Sequence, residues 1–319
     1  MNHLLARYAE SIFWMARYME RAENLARILD VETFDRDEDG AKNWLPVVRM
    51  NADEERFFTK HQETSAETVL HFYILDADNP TSILSAVGAA RENARILRPW
   101  ISLEMWSQIN VFYKEMQGLG AKDLALHNLN RLCTRIKEAC QAHTGITEGT
   151  FYRDQGWYFY QLGKAIERAD QTTRLLDIKY HTLLPTAEGG ELVHHFSQWN
   201  TVLRSAAGYH AFRRENRRAM TPDSVAAFML FNESFPRSVT QCVRLIDMFL
   251  HRLKSRYNLR GGNAAMEKVD EIQHMLQTRS IDDVIRGGLH HYLDHLQFQL
   301  STVTSAIGRD FFGQDLAAT

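Results

Sequence analysis

Cysteine is scarce in this chain, with Cys133, Cys140 and Cys242 the only three in 319 residues. An odd, sparse set in a chain this long argues against a disulfide framework and for a reducing compartment, so a cytoplasmic location is expected. Proline is scarce as well. Six prolines and 17 glycines leave little room for disordered or repetitive segments. No apolar run approaches the roughly 18 to 20 residues that span a bilayer, and Met1 to Arg7 lacks a basic stretch followed by an apolar one. Neither membrane insertion nor export is therefore expected. A formal charge of -3 provides no global field toward nucleic acid or an anionic membrane. No glycine-rich phosphate loop follows a strand pattern, so nucleotide binding by the Walker or dinucleotide route is not expected.

What the chain does have is helical periodicity. Apolar residues recur at spacings of three and four for long stretches, whereas strict alternation is hard to find, which sets the class as all-α. The pattern predicts nine helices, at 4–34, 52–75, 81–116, 122–144, 149–182, 190–217, 222–255, 264–277 and 281–308. Pro80 and Pro222 read as first-turn prolines, and Gly189-Gly190 and Gly261-Gly262-Asn263 as turns. Pro99 and Pro236 fall inside long patterns and should kink or end their helices, because proline removes a backbone donor and clashes with the preceding turn.

Self-comparison reveals a repeat. Glu20-Arg21-Ala22-Glu23 with Arg27-Ile28-Leu29-Asp30-Val31 returns as Glu167-Arg168-Ala169-Asp170 with Arg174-Leu175-Leu176-Asp177-Ile178, an offset of 147. A second block matches Pro80, Ser82, Ile83 and Arg95 to Pro222, Ser224, Val225 and Arg237 at an offset of 142. The expected architecture is a multi-helix bundle from two tandem copies, 1–146 and 147–319, packed as one unit about a pseudo-twofold axis.

Ile12, Met15, Ala16, Met19, Ala22, Ala26 and Leu29 form one apolar face of the first helix. The opposite arc carries Arg17, Glu20, Arg21, Asn24 and Arg27, yet Phe13, Trp14 and Ile28 interrupt it, so that side should be partly covered. Adjacent helix residues point about 100° apart, and Glu20 and Arg21 cannot satisfy each other. Local pairs such as Arg17 with Glu20 would make the motif ordinary solvated charge. Alternatively, the duplication lets Glu20 meet Arg168 while Arg21 meets Glu167, a reciprocal buried network. A ligand or partner site is the third reading. Arg91, Glu92, Asn93, Arg95 and Arg98 form a second polar cluster, either lining the same pocket or forming an exposed face.

His291 and His295 have the i, i+4 spacing that can clasp a metal, and His194-His195 and His290 add imidazoles, but the glutamate of a His-Glu-x-x-His motif is missing. No metal or other cofactor is expected. Cys133 and Cys140 read as core residues.

The segment from Ala9 through Trp14, Ala16-Arg17-Tyr18 and Glu20-Arg21-Ala22-Glu23-Asn24-Leu25-Ala26-Arg27 to Asp30 resembles the start of the Alpha-E domain family, a helical domain with a Glu-Arg motif. Ala90 to Arg95, Ile166 to Asp170, Arg174 to Asp177 and Pro236-Arg237-Ser238 resemble further blocks of that family. The resemblance implies a role in a peptide synthesis or modification system beside circularly permuted ATP-grasp ligases, transglutaminase-like proteases and an N-terminal-nucleophile peptidase. It implies no catalytic residue. The second copy departs, with Gln161, Lys164 and Ala165 in place of Trp14, Arg17 and Tyr18, so any site should be asymmetric and favour the first copy.

Three functions compete. The first is a non-catalytic partner or scaffold that holds a ligase, or presents its peptide substrate, at the two Glu-Arg helices. The second is an enzyme in which Glu20 or Glu167 is a general acid or base while Arg21 and Arg168 hold an anionic substrate. The third is a purely structural protein whose ion pairs dock the halves. A buried unpaired glutamate would support the enzyme, and reciprocal pairing would oppose it.

Overall fold

The computed structural model describes residues 4–32, 44–183, 192–216, 220–259 and 261–313, and within the helices the side chains of 31–32, 178–183 and 192–198 lie outside the description. The described residues form fifteen α-helices and one closing π-helix, with no strand. The first half holds α1 (Ala6–Glu32), α2 (Leu45–Met50), α3 (Glu54–Lys60), α4 (Ala66–Ile74), α5 (Ile83–Ile96), α6 (Leu103–Gln117) and α7 (Leu126–Thr150). The second holds α8 (Gln155–Leu183), α9 (Leu192–Ser205), α10 (Tyr209–Glu215), α11 (Pro222–Phe231), α12 (Val239–Tyr257), α13 (Asn263–Thr278), α14 (Ile281–Gly287), α15 (Leu289–Ile307) and π1 (Gly308–Phe312).

Fifteen helices replace the nine that periodicity predicts because several long patterns are interrupted by chain reversals. The pattern at 81–116 breaks between α5 and α6 around Pro99, and the one at 222–255 breaks between α11 and α12 around Pro236. Each break is followed by a new N-cap. The Ser102 hydroxyl accepts from the Met105 amide at 3.1 Å, and the Ser238 hydroxyl accepts from the Gln241 amide at 3.1 Å, satisfying donors that a helix start leaves open. The expected division at 146 falls inside α7, which ends at Thr150. The turn expected at Gly189-Gly190 lies outside the described residues.

One packing plan occurs twice. Helix α1 packs on α5 and α7, with α6 against both; α8 packs on α12 and α15, with α13 against both. Helices α1 and α8 lie side by side at the centre and run parallel, since Leu4 meets Gln155, Phe13 meets Gly163 and Glu20 meets Arg168. Their approach is close: a Cβ on Gly163 would stand 2.4 Å from the Phe13 carbonyl oxygen. Glycine is required there because any side chain would force the two helices apart.

The correspondence extends into the short helices. Trp44, Val47, Val48 and Phe57 are buried as Trp199, Val202, Leu203 and Phe212 are. Ala52 and Ala207, the residues that end these segments, both take the left-handed conformation, at φ 53 and 57. In each, the amide of the alanine donates at 2.9 Å to the carbonyl of an arginine, Arg49 or Arg204. The second block of the repeat is therefore registered differently from the sequence match. Ser82 caps α5 and Ser238 caps α12, whereas Ser224 sits in the first turn of α11 in a capping box with Thr221, as Thr68 does with Ser65. Pro80-Thr81-Ser82-Ile83 thus corresponds to Pro236-Arg237-Ser238-Val239. Arg237 has Thr81 as its counterpart rather than Arg95.

Candidate functional site: the Glu-Arg network between the two central helices

Glu20 and Glu167 sit on the facing sides of α1 and α8, 3% and 0% exposed. Carboxylates this deep need partners, because burying an unpaired charge is far costlier than burying a paired one. Each is closed by an arginine from the opposite helix. Arg168 donates to Glu20 through Nε at 2.9 Å and Nη2 at 2.7 Å, and Arg21 donates to Glu167 through Nε at 2.7 Å and Nη2 at 3.1 Å. Two planar forks, each matched to two oxygens, fix the rotation and register of the helices against each other.

The surroundings are partly matched. Asn24 donates to Glu20 at 3.5 Å as Gln171 donates to Glu167 at 3.4 Å, and Arg27 holds Glu23 as Arg174 holds Asp170. Asymmetry enters through the third cation. Arg17 on α1, beside Trp14 and Phe13, also donates across to Glu167 on α8 at 2.7 Å, while its counterpart Lys164 makes no hydrogen bond with a described residue. Arg237 instead serves the Glu20 side, donating to Glu20 at 2.8 Å, Asn24 at 2.5 Å and Glu23 at 2.9 Å. Its counterpart Thr81 turns away and donates to Asp53.

Burial alone would raise both carboxyl pKa values, but the arginines outweigh it. Glu20 is held well below the usual carboxylate range by Arg168 and Arg237, and Glu167 is lowered to about 2 by Arg21 and Arg17. Burial lowers the Lys164 pKa, assisted by the nearby Arg168 charge. His143 on α7 is fully buried beside Tyr160, with neither ring nitrogen hydrogen-bonded among the described residues, and burial pushes its pKa down to about 3. It is a neutral core imidazole.

Of the residues singled out from sequence, the structure brings together Arg17, Glu20, Arg21, Asn24, Glu167 and Arg168. Arg91, Glu92 and Arg95 do not join them. They pair with one another and with Asn110 on α6, half-exposed, and Asn93 lies on the same helix without a bond to the network. Of the two readings of this cluster, the shared pocket does not hold and the exposed face does: α5 presents it toward α6 and solvent, not toward α8. Arg237 is a network member that sequence comparison misplaced: it stood in the repeat opposite Arg95 and in the Pro-Arg-Ser block, and neither placed it beside Glu20.

Among the histidines, His290 contacts Asp177 at 2.7 Å through Nδ1 and Asp294 at 3.3 Å through Nε2. Both ring nitrogens face carboxylates and its pKa is raised, foremost by the bond to Asp177, which suits an imidazolium bridge. His295 is not part of this group, and the side chains of His194 and His195 lie outside the described ones. The three cysteines are free and buried. Among the described residues no helix is long and apolar enough to cross a membrane.

A repeated helical bundle joined through a Glu-Arg pair on each central helix defines the class. The model of the Alpha-E family, "a predicted alpha-helical domain with a conserved ER motif", matches residues 4–312, and the chain belongs to that family. It is 23% identical over 314 residues to a protein of Mycobacterium bovis named as uncharacterised, and 22% identical to one of Mycobacterium tuberculosis named likewise. In both, the match takes 91% of this chain and 34% of the relative's length, so the chain spans about a third of these relatives. No solved structure matches.

Proposed function

We propose that the protein is a non-catalytic helical partner in a cytoplasmic peptide synthesis or modification system. In this reading it works beside a circularly permuted ATP-grasp ligase and a transglutaminase-like protein and helps hold the ligase or its peptide substrate. The observation that carries the non-catalytic half is the saturation of Glu20 and Glu167. Each carboxylate accepts from two arginines and an amide and is held below the usual carboxylate range by those arginines, so it lacks the basicity of a general base at physiological pH. The named partners come from the family resemblance. The mycobacterial relatives, in which the matched region is joined to a much longer polypeptide, agree with a module that acts alongside other domains.

Purified protein mixed with the ATP-grasp ligase of the same source should co-elute as a complex, and peptide-dependent ATP turnover should require the ligase and be altered by this protein. Turnover of a peptide by this chain alone, lost in Glu167→Gln while the fold persists, would overturn the reading in favour of an enzyme.

A further inference from the structure

Helices α7 and α15 repeat as the central helices do. Leu129, Ile136 and Cys140 of α7 are buried as Leu289, Leu296 and Leu300 of α15 are, at a constant offset of 160. In each copy this helix reaches the repeated aspartate of the central helix. Asn130 donates to Asp30 at 2.8 Å, and His290, at the corresponding place, contacts Asp177 through Nδ1 at 2.7 Å. The copies differ in what else they bring to this corner. The first adds the Lys137 ammonium, 2.5 Å from Asp30. The second has the uncharged Gln297 at that position and adds a carboxylate, Asp294, where the first has Thr134.

Asp294 stands one turn beyond His290, its Oδ2 facing Nε2 at 3.3 Å, and one ligand atom from each of Asp177, His290 and Asp294 lies within 4.8 Å of the others. The 3.3 Å separation suits two ligands of one ion: donors roughly 2.1 Å from a zinc ion subtend about 100° at that spacing, near a tetrahedral angle. The carboxylate on Nδ1 is the partner that orients metal-bound histidines, because it places the proton on Nδ1 and the lone pair on Nε2. The geometry points to a site for a divalent transition metal, zinc above all, bound by His290 Nε2 and Asp294, with Asp177 orienting the imidazole. The metal-bound state replaces the imidazolium bridge, since the ion takes the nitrogen that the second proton occupies. Two protein ligands leave the other coordination positions to water or to a carboxylate of a bound molecule, so the site is of the open kind. The pair that makes it is His290 with Asp294, one residue off the His291 and His295 pair that spacing alone presents.

Isothermal titration of the metal-free, full-length protein with zinc chloride tests the proposal. Wild type should show a saturable site near one equivalent. His290→Ala and Asp294→Asn should each weaken it by about tenfold or more, and Asp177→Asn by about tenfold. The double variant His291→Ala, His295→Ala, which removes two exposed imidazoles beside the site, should keep it. Thermal midpoints are read alongside, and zinc should raise that of wild type but not that of Asp294→Asn, whose half-exposed carboxylate can be changed without disturbing the core. Absence of saturable binding overturns the proposal, as does binding that survives both His290→Ala and Asp294→Asn. Binding lost only in the double variant overturns it too, because the ion would then sit on the exposed histidine pair.

Discussion

Arg168 grips both oxygens of Glu20 from a position 148 residues later in the chain, and Arg21 grips Glu167 in return. The pairs are mutual because α1 and α8 carry matching Glu-Arg segments and face each other. Removing one member strands the others: Glu20→Ala would leave Arg168 and Arg237 buried without their carboxylate and should cost about 3 to 5 kcal/mol. Replacing Glu20 and Arg168 together by methionine should recover part of that loss, since Arg168 is no longer stranded and Arg237 keeps Glu23 and Asn24. Urea denaturation of the three proteins checks both statements.

Acid should unfold the protein in two stages. Both Glu167 and His143 have folded pKa values below their unfolded ones, so the unfolded chain binds more protons and stability falls as pH falls. For His143 the loss runs from about pH 6.5 down to about 3, and for Glu167 from about pH 4.5 down to about 2. Glu20 acts in the same direction as Glu167. Unfolding free energy followed against pH should therefore begin to fall before the carboxylates titrate, and His143→Phe should remove the upper part of the slope. An unchanged upper slope in that variant would contradict the assignment.

The two central helices should tolerate no added atom at their crossing. Gly163→Ala places a methyl against the Phe13 carbonyl and should destabilise strongly, whereas Gly145→Ala on α7 meets nothing within 4 Å and should stabilise by about 0.8 kcal/mol through helix propensity. Thermal midpoints of the two variants should move in opposite directions.

Ala52 and Ala207 adopt a backbone conformation that disfavours a side chain by roughly 1 to 2 kcal/mol. Glycine at either site relieves that strain but loses more chain entropy on folding, for a net gain of roughly 0.5 kcal/mol. Because the sites belong to different copies and share no partner, the double variant should show the sum.

The all-helical class and the facing Glu-Arg pairs were legible in the sequence because α1 and α8 repeat without an insertion, so a constant offset aligns them. The rest of the repeat was not. Trp44 matches Trp199 and Ser82 matches Ser238 at offsets of 155 and 156, since the connections after α1 and α8 differ in length. The match at 142 arose because a proline and a serine ahead of an aliphatic residue occur twice in the second half, at Pro222 and at Pro236, as N-cap chemistry is shared by many helices. That misregistration hid Arg237, which reaches Glu20 from 217 residues away. The left-handed alanines carry no signal at all, because nothing in an alanine side chain announces a positive φ.

The most direct test of the interlocked helices is a double-mutant cycle on Glu167 and Arg21, using Glu167→Gln, Arg21→Met and the pair, with stability read by urea denaturation. Neighbours joined in one ion-pair network couple by about 0.5 to 3 kcal/mol, and this bidentate pair, with Glu167 fully buried and Arg21 partly so, should fall in the upper half of that range. Additive effects, with no coupling between the two positions, would show that the Glu-Arg pairs do not hold the halves together.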